Sequence, residues 1–168
     1  MLIILEGNEC CYKTTIAEKL SKELGMNVVK GSSFELSQCS NEELFDHFKA
    51  VAQIDNTIID RFIYSNEVYA SLYDDYAILT NGQRKDIENL IRDKAILFYL
   101  YASDKMIKKR IEERGDDYVD TSMVSKINDK FNNSISKSGL RVIPYSTELF
   151  NSNEIVRIMV NDVKRYSK

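Results

Sequence analysis

The sequence has few cysteines, prolines and glycines, and it has no tryptophan. Three cysteines, two of them adjacent (Cys10 and Cys11), cannot build a disulfide framework and lack the spacing of metal ligands. We therefore expect reduced thiols and a cytoplasmic protein. One proline, Pro144, and six glycines leave no Pro/Gly-rich linker. With no internal repeat, residues 1–168 are predicted to form a single domain.

Long apolar runs and an excess of one charge are also missing. The longest apolar run, residues 95–102, is far shorter than the roughly 20 residues of a transmembrane helix. The N-terminus lacks the basic region of a secretory signal. The net charge of −3 contains no block of like charges, which argues against a nucleic-acid-binding surface. We expect neither a membrane nor a nucleic acid as a partner.

Short apolar runs alternate with segments of helical spacing. Strands are predicted at 2–5, 27–30, 57–60, 95–101 and 140–145. Helices are predicted at 13–24, from Ser40, at about 62–72, at about 83–93, from Ser103 to about 114, within 120–139 and from about 152. Strands separated by helices indicate right-handed crossovers. The predicted fold is therefore α/β: three layers, with a five-stranded parallel sheet and helices on both faces.

The segment GNECCYKTT, residues 7–15, lies between the first strand and the first helix. It fits the phosphate-loop pattern G-x-x-x-x-G-K-[ST] except at one position. Backbone N–H groups and the helix N-terminus of such a loop bind phosphate. Lys13 is expected to bridge the β- and γ-phosphates of ATP, and Thr14 to bind Mg²⁺. The predicted ATP-binding residues are Gly7, Asn8, Cys10, Cys11, Tyr12, Lys13, Thr14 and Thr15.

Tyr12 stands where the pattern has its second glycine. A tyrosine with positive φ is strained by about 1 kcal/mol or more. The ring could be tolerated, could lie over the nucleotide, or could plug the site and leave a relative that binds nothing. We expect tolerance, so that Tyr12→Gly keeps or raises the affinity for ATP. The thiols of Cys10 and Cys11, near Lys13 and a helix N-terminus, would have a lowered pKa if exposed.

A second motif follows the third predicted strand. In DRFIYSNEVYA, residues 60–70, Asp60 and Arg61 come directly after that strand and are expected to face the phosphate-binding cleft. Asp60 can hold Mg²⁺ or accept a proton, and Arg61 can bind a phosphate through two N–H groups. Thr14 and Asp60 are thus the predicted metal ligands.

A third motif, RIEERG, carries two arginines on one helical face, Arg110 and Arg114. A mobile lid at about 110–121 could bring their charge over the transferred phosphate. The alternative is a solvated helix face on which these arginines pair with glutamates. The predicted catalytic residues are Lys13, Asp60, Arg61, Arg110 and Arg114.

These motifs resemble the thymidylate kinase branch of the nucleoside monophosphate kinases. LEGNE at the loop, DRFIYSNEVY after the third strand and RIEERG carry the resemblance, in order and spacing, from residue 1 to about 150. A looser likeness exists to phage-encoded kinases with an aromatic residue before the loop lysine. The resemblance implies phosphorylation of a deoxynucleoside monophosphate, thymidylate-like, with ATP and Mg²⁺, by a homodimer.

The resemblance also implies roles for acceptor-binding residues. Glu9 would contact the 3′-hydroxyl of the acceptor sugar, and Arg61 would hold the acceptor monophosphate. Tyr69 would lie near C2′ and disfavour ribose. The predicted acceptor-binding residues are Glu9, Lys30, Phe34, Phe45, Lys49, Arg61, Ser65 and Tyr69.

Departures from the family pattern leave the base open. KGSSFE, residues 30–35, replaces the family's R-E-P, Ala70 replaces a glutamine, and Phe45 with Lys49 only partly match F-x-x-x-R. Three alternatives stay open: a deoxynucleoside kinase with Glu35 as general base, a kinase of a modified base in DNA, and a non-catalytic nucleotide-binding relative. Lys30 at the end of the second strand suits an anionic acceptor better than a hydroxyl group, which favours the monophosphate kinase.

Overall fold

A five-stranded parallel sheet forms the centre of the protein, with helices on both faces. The computed structural model describes residues 1–32, 36–74, 76–115 and 120–166. The strands are β1 (Leu2–Glu6), β2 (Asn27–Lys30), β3 (Thr57–Asp60), β4 (Ala95–Tyr101) and β5 (Arg141–Ser146). The helices are α1 (Lys13–Leu24), α2 (Asn41–Ala52), α3 (Ile63–Ala70), α4 (Asn81–Ile91), α5 (Asp104–Arg114), α6 (Val124–Ser136) and α7 (Ser152–Tyr166). The predicted fold class is confirmed.

The sheet order is β2-β3-β1-β4-β5. β1 lies between β3 and β4. β2 and β3 are therefore on one side of β1 and β4 and β5 on the other, so the strand order changes direction at β1. In such sheets ligands bind at the carboxyl ends of the strands next to this reversal. The phosphate-loop segment follows β1, and the Asp60–Arg61 motif follows β3. The sheet order therefore brings both motifs to one edge.

The strands bury apolar side chains on both faces of the sheet. In β1, Leu2 and Ile4 point to one face, while Ile3 and Leu5 point to the other, and all four are fully buried. Helices α2, α3, α4 and α6 cover the first face, and α1, α5 and α7 cover the second. A strand buried on both sides reads as a continuous apolar run, which is why the sequence predicted β1 and β4.

Local capping residues set several helix ends. Ser40 and Glu43 form the predicted capping box at α2. A second capping box, between Thr80 and Gln83, starts α4 two residues before the predicted position. Gly25 ends α1 in the left-handed conformation. Among the helices of the described ranges, none combines the length and the apolar character that crossing a membrane requires.

Candidate active site

Two cavities open at the carboxyl edge of the sheet and meet. The loop cavity, of about 470 Å³, is lined by residues 9–15 and by Arg61, Arg110, Glu113 and Arg114. The β3 cavity, of about 370 Å³, is lined by Glu9, Thr14, Lys30, Ser32, Asp60, Arg61, Ser65, Asn66, Tyr69 and Tyr76. Glu9, Thr14 and Arg61 belong to both linings. Two ligands bound in these cavities would therefore face each other across these three side chains.

The phosphate-loop segment keeps a glycine-like backbone at Tyr12. Tyr12 is the N-cap of α1 with φ 60° and ψ 14°, and its carbonyl accepts the first helical hydrogen bond, from the Ile16 N–H at 2.8 Å. Gly7 has φ 145°, and a Cβ there would lie 2.0 Å from the Leu100 carbonyl oxygen. The loop thus crosses β4 closely at Gly7 and then enters α1 in the conformation that the motif requires.

Lys13 lies at the floor of the loop cavity and is only 4% exposed. Its Nζ donates to the Asn8 carbonyl oxygen at 2.5 Å. Burial, together with the charge of Arg61, lowers the pKa of the Lys13 ammonium, while Glu9 opposes this shift. The lysine is held by the loop's own backbone, within the curve where phosphates of a nucleotide would bind.

Asn8 attaches the loop to helix α6. Its side-chain oxygen accepts from the Glu9 N–H at 2.7 Å, and its amide donates to Asn128 at 2.8 Å and to the Val124 carbonyl at 3.3 Å. Asn128 in turn donates to Asp104 at 2.6 Å. Sequence reasoning missed Asn128, because no local pattern links residues 120 positions apart.

Thr14 and Asp60 meet where a metal ion would be needed. The Thr14 hydroxyl donates to Asp60 Oδ2 at 2.7 Å. Asp60 is 5% exposed, and its buried Oδ1 has no hydrogen-bond partner among the described residues. A buried carboxylate oxygen without a partner is costly unless a ligand satisfies it. Mg²⁺ takes carboxylate and hydroxyl oxygens together with substrate phosphates, so these two residues fit that ion.

Glu9, Arg61 and Tyr69 form a charged cluster at the junction of the cavities. Arg61 Nη2 donates to Glu9 Oε1 at 2.6 Å, and the Tyr69 hydroxyl donates to the same oxygen at 3.1 Å. Burial raises the pKa of the Glu9 carboxyl, but the charges of Arg61 and Lys13 and these hydrogen bonds outweigh it and lower the pKa to about 2. Glu9 is therefore ionised at neutral pH.

Glu6 positions this cluster from below. Its fully buried carboxylate accepts from the Phe62 N–H at 2.7 Å, the Ser65 N–H at 3.1 Å and the Ser65 hydroxyl at 2.5 Å. These bonds satisfy the N-terminus of α3 and hold Arg61, which has the strained φ of 66°. Ser65 lines the β3 cavity, as expected of an acceptor-binding residue, but its hydroxyl already donates to Glu6.

Three residues of the β3 cavity were not anticipated: Ser32, Asn66 and Tyr76. Asn66 is 4% exposed, and its Nδ2 donates to the Ala77 carbonyl oxygen at 2.9 Å. Because that carbonyl can only accept, it fixes the orientation of the amide. The buried Oδ1 then remains without a hydrogen-bond partner among the described residues, in a residue that lines the cavity.

Of the predicted acceptor-binding residues, Lys30 lines the β3 cavity, but others lie elsewhere. Phe45 and Lys49 are on α2, where the Lys49 ammonium lies 4.5 Å from the Phe45 ring and 2.8 Å from Asp46. Among the described residues, neither Phe45 nor Lys49 lines the two cavities. Phe45 packs against the core, and the Lys49 ammonium pairs with Asp46 on the surface. Phe34 lies outside the described residues.

The two arginines of the predicted lid differ in their environment. Arg110 Nη1 donates to the Cys10 carbonyl at 3.1 Å and to the Thr147 hydroxyl at 2.8 Å, and Nη2 donates to the Thr147 carbonyl at 2.5 Å. It is thus attached to the phosphate loop and to the loop that follows β5. Arg114 ends α5 and lines the loop cavity. Of the predicted lid, 110–114 is helix and 116–119 lies outside the described residues.

The two adjacent thiols differ in their exposure. Cys11 is fully buried, and this burial raises the pKa of its thiol. Cys10 is half-buried. The loop is held at this point through its backbone, where Arg110 donates to the Cys10 carbonyl.

The sheet order, the phosphate loop between β1 and α1 and the acidic residue at the end of β3 define the P-loop kinase fold. Deoxyadenosine kinase from M. mycoides, solved with the products dCMP and dCDP, has this fold with a TM-score of 0.65 and 17% identity; the match covers 98% of this chain and 99% of that chain. Thymidylate kinase from Candida albicans has it with a TM-score of 0.59 and 15% identity, covering 99% and 92%. At these identities the likeness concerns the fold.

A much stronger match identifies the family. The SPbeta prophage-derived protein YorR of Bacillus subtilis (strain 168) is 46% identical over 159 residues, which cover 95% of this chain and 96% of YorR. The crystal structure of YorR in complex with phosphorylated GDP matches with a TM-score of 0.94 and covers 98% of this chain and 96% of that chain. The chain therefore belongs to the YorR family of P-loop proteins. No protein-family model matches it.

Proposed function

We propose that this protein is a nucleoside monophosphate kinase, which transfers the γ-phosphoryl group of ATP to a deoxynucleoside monophosphate. The observation that carries the proposal is the meeting of the two cavities at Glu9, Thr14 and Arg61. One cavity is built on a phosphate loop, and the other has a fixed arginine at its inner end. Phosphoryl transfer between two nucleotides needs mainly such positioning and charge neutralisation.

The side chains at the junction and in the loop cavity have defined tasks in this reaction. Lys13 neutralises charge on the β- and γ-phosphates, and Arg61 orients the acceptor phosphate. The Thr14 hydroxyl and the Asp60 carboxylate would hold Mg²⁺, which when bound neutralises charge on the phosphate oxygens. Arg114, at the mouth of the loop cavity, adds positive charge beside the transferred group.

The charges of the β3 cavity support an anionic acceptor. Arg61 and Lys30 both line this cavity, and a monophosphate would pair with them. A nucleoside acceptor would instead need a general base with a pKa near the working pH. Glu9, the carboxylate shared by the two cavities, has a pKa of about 2 and is a weak base. Glu35, the other residue considered for this task, lies outside the described residues.

The walls of the β3 cavity offer groups for the sugar and the base. The Glu9 carboxylate can accept from a sugar hydroxyl, and the Tyr69 ring lies beside it. Asn66 Oδ1 can accept from a base N–H group. Guanine and thymine both carry such a donor. Thymidylate is the acceptor that the sequence resemblance favours, and the YorR complex with phosphorylated GDP makes guanine nucleotides its first competitors.

A coupled assay of ADP release tests the proposal directly. It would compare all ribo- and deoxynucleoside monophosphates and the corresponding nucleosides, with ATP and Mg²⁺. We expect turnover with at least one deoxynucleoside monophosphate and a loss of about a thousandfold or more in Lys13→Ala. Lys19→Ala, on the same helix but outside both cavities, should keep the activity.

Two results would contradict the monophosphate kinase. Turnover with nucleosides alone would show a deoxynucleoside kinase. Binding of ATP without turnover of any acceptor would show a non-catalytic relative. As further parts of the proposal, the protein acts in the cytoplasm as a homodimer of single-domain chains. The predicted lid at about 110–121 closes over the bound nucleotide beyond Arg110, which stays attached to Cys10 and Thr147. The family resemblance supports these parts.

A further inference from the structure

The Tyr12 ring and the Arg110 guanidinium form a stack at the wall of the loop cavity. Arg110 Cζ lies 4.5 Å from the centroid of the Tyr12 ring. Both residues line the cavity and both are half-buried. A guanidinium at this distance over an aromatic face is attracted by the ring quadrupole, and the attraction grows as water is excluded.

The contacts of Arg110 hold its guanidinium at the wall of the loop cavity. Its N–H groups donate to the Cys10 carbonyl and to both oxygens of Thr147. The Tyr12 ring contacts it as well. Because Tyr12 and Arg110 both line the loop cavity, a molecule bound there meets this pair of side chains. The planar cation is thus fixed in place by two loops and one ring.

The backbone of Tyr12 adds a second observation. Tyr12 holds φ 60°, a conformation that glycine adopts without strain and a residue with a Cβ adopts only under constraint. The attraction between the ring and Arg110 offsets part of that strain. The ring does not plug the site, because the cavity with the ring in place measures about 470 Å³, within the usual range of ligand pockets.

We propose that Tyr12 is a positioning residue, whose ring holds Arg110 against the phosphate loop so that the arginine is a preset wall of the nucleoside triphosphate site. This inference rests on the proposed function in assigning the loop cavity to the triphosphate donor. Arg110 then needs no lid closure to reach its position, whereas Arg114 remains the arginine that closure could deliver. The ring is part of the site, and Tyr12→Gly weakens nucleotide binding instead of preserving it.

Calorimetric titration with ATP and with GTP tests the role of the ring. Tyr12→Leu removes the aromatic face but keeps a Cβ and the backbone strain, and Tyr12→Phe keeps the face. We expect the dissociation constant of the preferred triphosphate to rise about fivefold to tenfold in Tyr12→Leu. In Tyr12→Phe it should stay within about twofold of the natural protein.

A double-mutant cycle shows whether the ring acts through Arg110. In the Arg110→Met background, adding Tyr12→Leu should change the dissociation constant by less than about twofold. Steady-state kinetics distinguishes this role from general damage to the site, which would change the KM of both substrates. In Tyr12→Leu the KM of the triphosphate should rise while the KM of the acceptor stays unchanged. Urea unfolding of each variant checks that it folds.

The inference is overturned if Tyr12→Leu binds the triphosphate as tightly as the natural protein does, or if its effect is the same with and without Arg110. It is also overturned if the natural protein binds neither ATP nor GTP. Because calorimetry needs no turnover, a protein that binds triphosphate through this stack but phosphorylates no acceptor would contradict the proposed function alone.

Discussion

At the scale of single residues, Glu9 occupies a variable position of the phosphate-loop pattern, but the fold places its charged side chain at the junction of the two cavities. Its carboxylate is three-quarters buried, with 25% of the side chain exposed, and it is paired with Arg61. The neighbouring Lys13 ammonium adds to the effect of Arg61, and together they lower the pKa of Glu9 to about 2. Ionised Glu9 in turn raises the pKa of the Arg61 guanidinium despite its burial.

This pairing predicts how stability depends on pH. The folded-state pKa of Glu9, about 2, lies below its ordinary value of 4.5. The stabilisation is therefore fully present above about pH 4.5 and is lost as the pH falls towards about 2. Glu9→Gln removes the carboxylate, so its deficit in unfolding free energy, on the order of 2 kcal/mol at neutral pH, should shrink steadily towards about pH 3.

Urea unfolding at a series of pH values measures this deficit. Glu18→Gln is the matched control, because Glu18 is exposed on α1 and should give a difference near zero at each pH. A Glu9→Gln deficit that does not change between about pH 6 and about pH 3 would show that the carboxylate is not held ionised by Arg61.

At the scale of elements, the phosphate loop depends on two helices that follow it by about a hundred residues or more. Asn8 is 3% exposed and donates to Asn128 of α6, which donates to Asp104 at the start of α5. A loop whose backbone must aim several N–H groups at one phosphate needs such support. The bond from Arg110 to the Cys10 carbonyl attaches the same loop to α5 a second time.

Asn128→Ala tests this support. The substitution leaves the buried Asn8 amide with the longer bond to the Val124 carbonyl, at 3.3 Å, and removes a bond to Asp104. We expect a loss of about 1–3 kcal/mol in unfolding free energy and weaker binding of ATP. Asn133→Ala, at an exposed position of the same helix, is the control. Equal effects of the two variants on ATP affinity would remove α6 from the support of the loop.

At the scale of the whole molecule, a largely buried ionic network joins three helices away from the active site. Arg84 of α4 pairs with Glu67 of α3 and with Glu88 on its own helix at 3.1 Å. It also donates to the Ser134 carbonyl of α6 at 2.9 Å. The exposed fraction of the Arg84 side chain is 12%, and that of Glu88 is 5%. These helices cover one face of the sheet, and one of them, α3, begins two residues after Arg61.

Removing one charge from this network should be costly. Arg84→Met leaves Glu88 buried next to the Tyr64 hydroxyl without its cation, and we expect a loss of about 3–5 kcal/mol in unfolding free energy. Lys85→Met, at the neighbouring exposed position, should change it by less than about 0.5 kcal/mol. Urea denaturation measures both. A loss below about 1 kcal/mol in Arg84→Met would mean that the network contributes little to stability.

Much of the fold follows from information that is local in the sequence. The buried strands β1 and β4 are continuous apolar runs, α2 begins at a capping box, and α1 ends at Gly25. These signals work because strand burial, helix capping and left-handed glycine depend on neighbouring residues. The phosphate loop was equally visible, since all its residues lie between 7 and 15.

The remaining features depend on residues that are far apart in the sequence. Arg110 meets Thr147 and the Tyr12 ring, and Asn8 is bound by Asn128. No periodicity or spacing marks such contacts, because they arise when the sheet order brings the ends of β1, β3, β4 and β5 to one edge. For that reason the motif could be recognised from sequence, whereas the place of Tyr12 in the site required the packing of α5 against the loop.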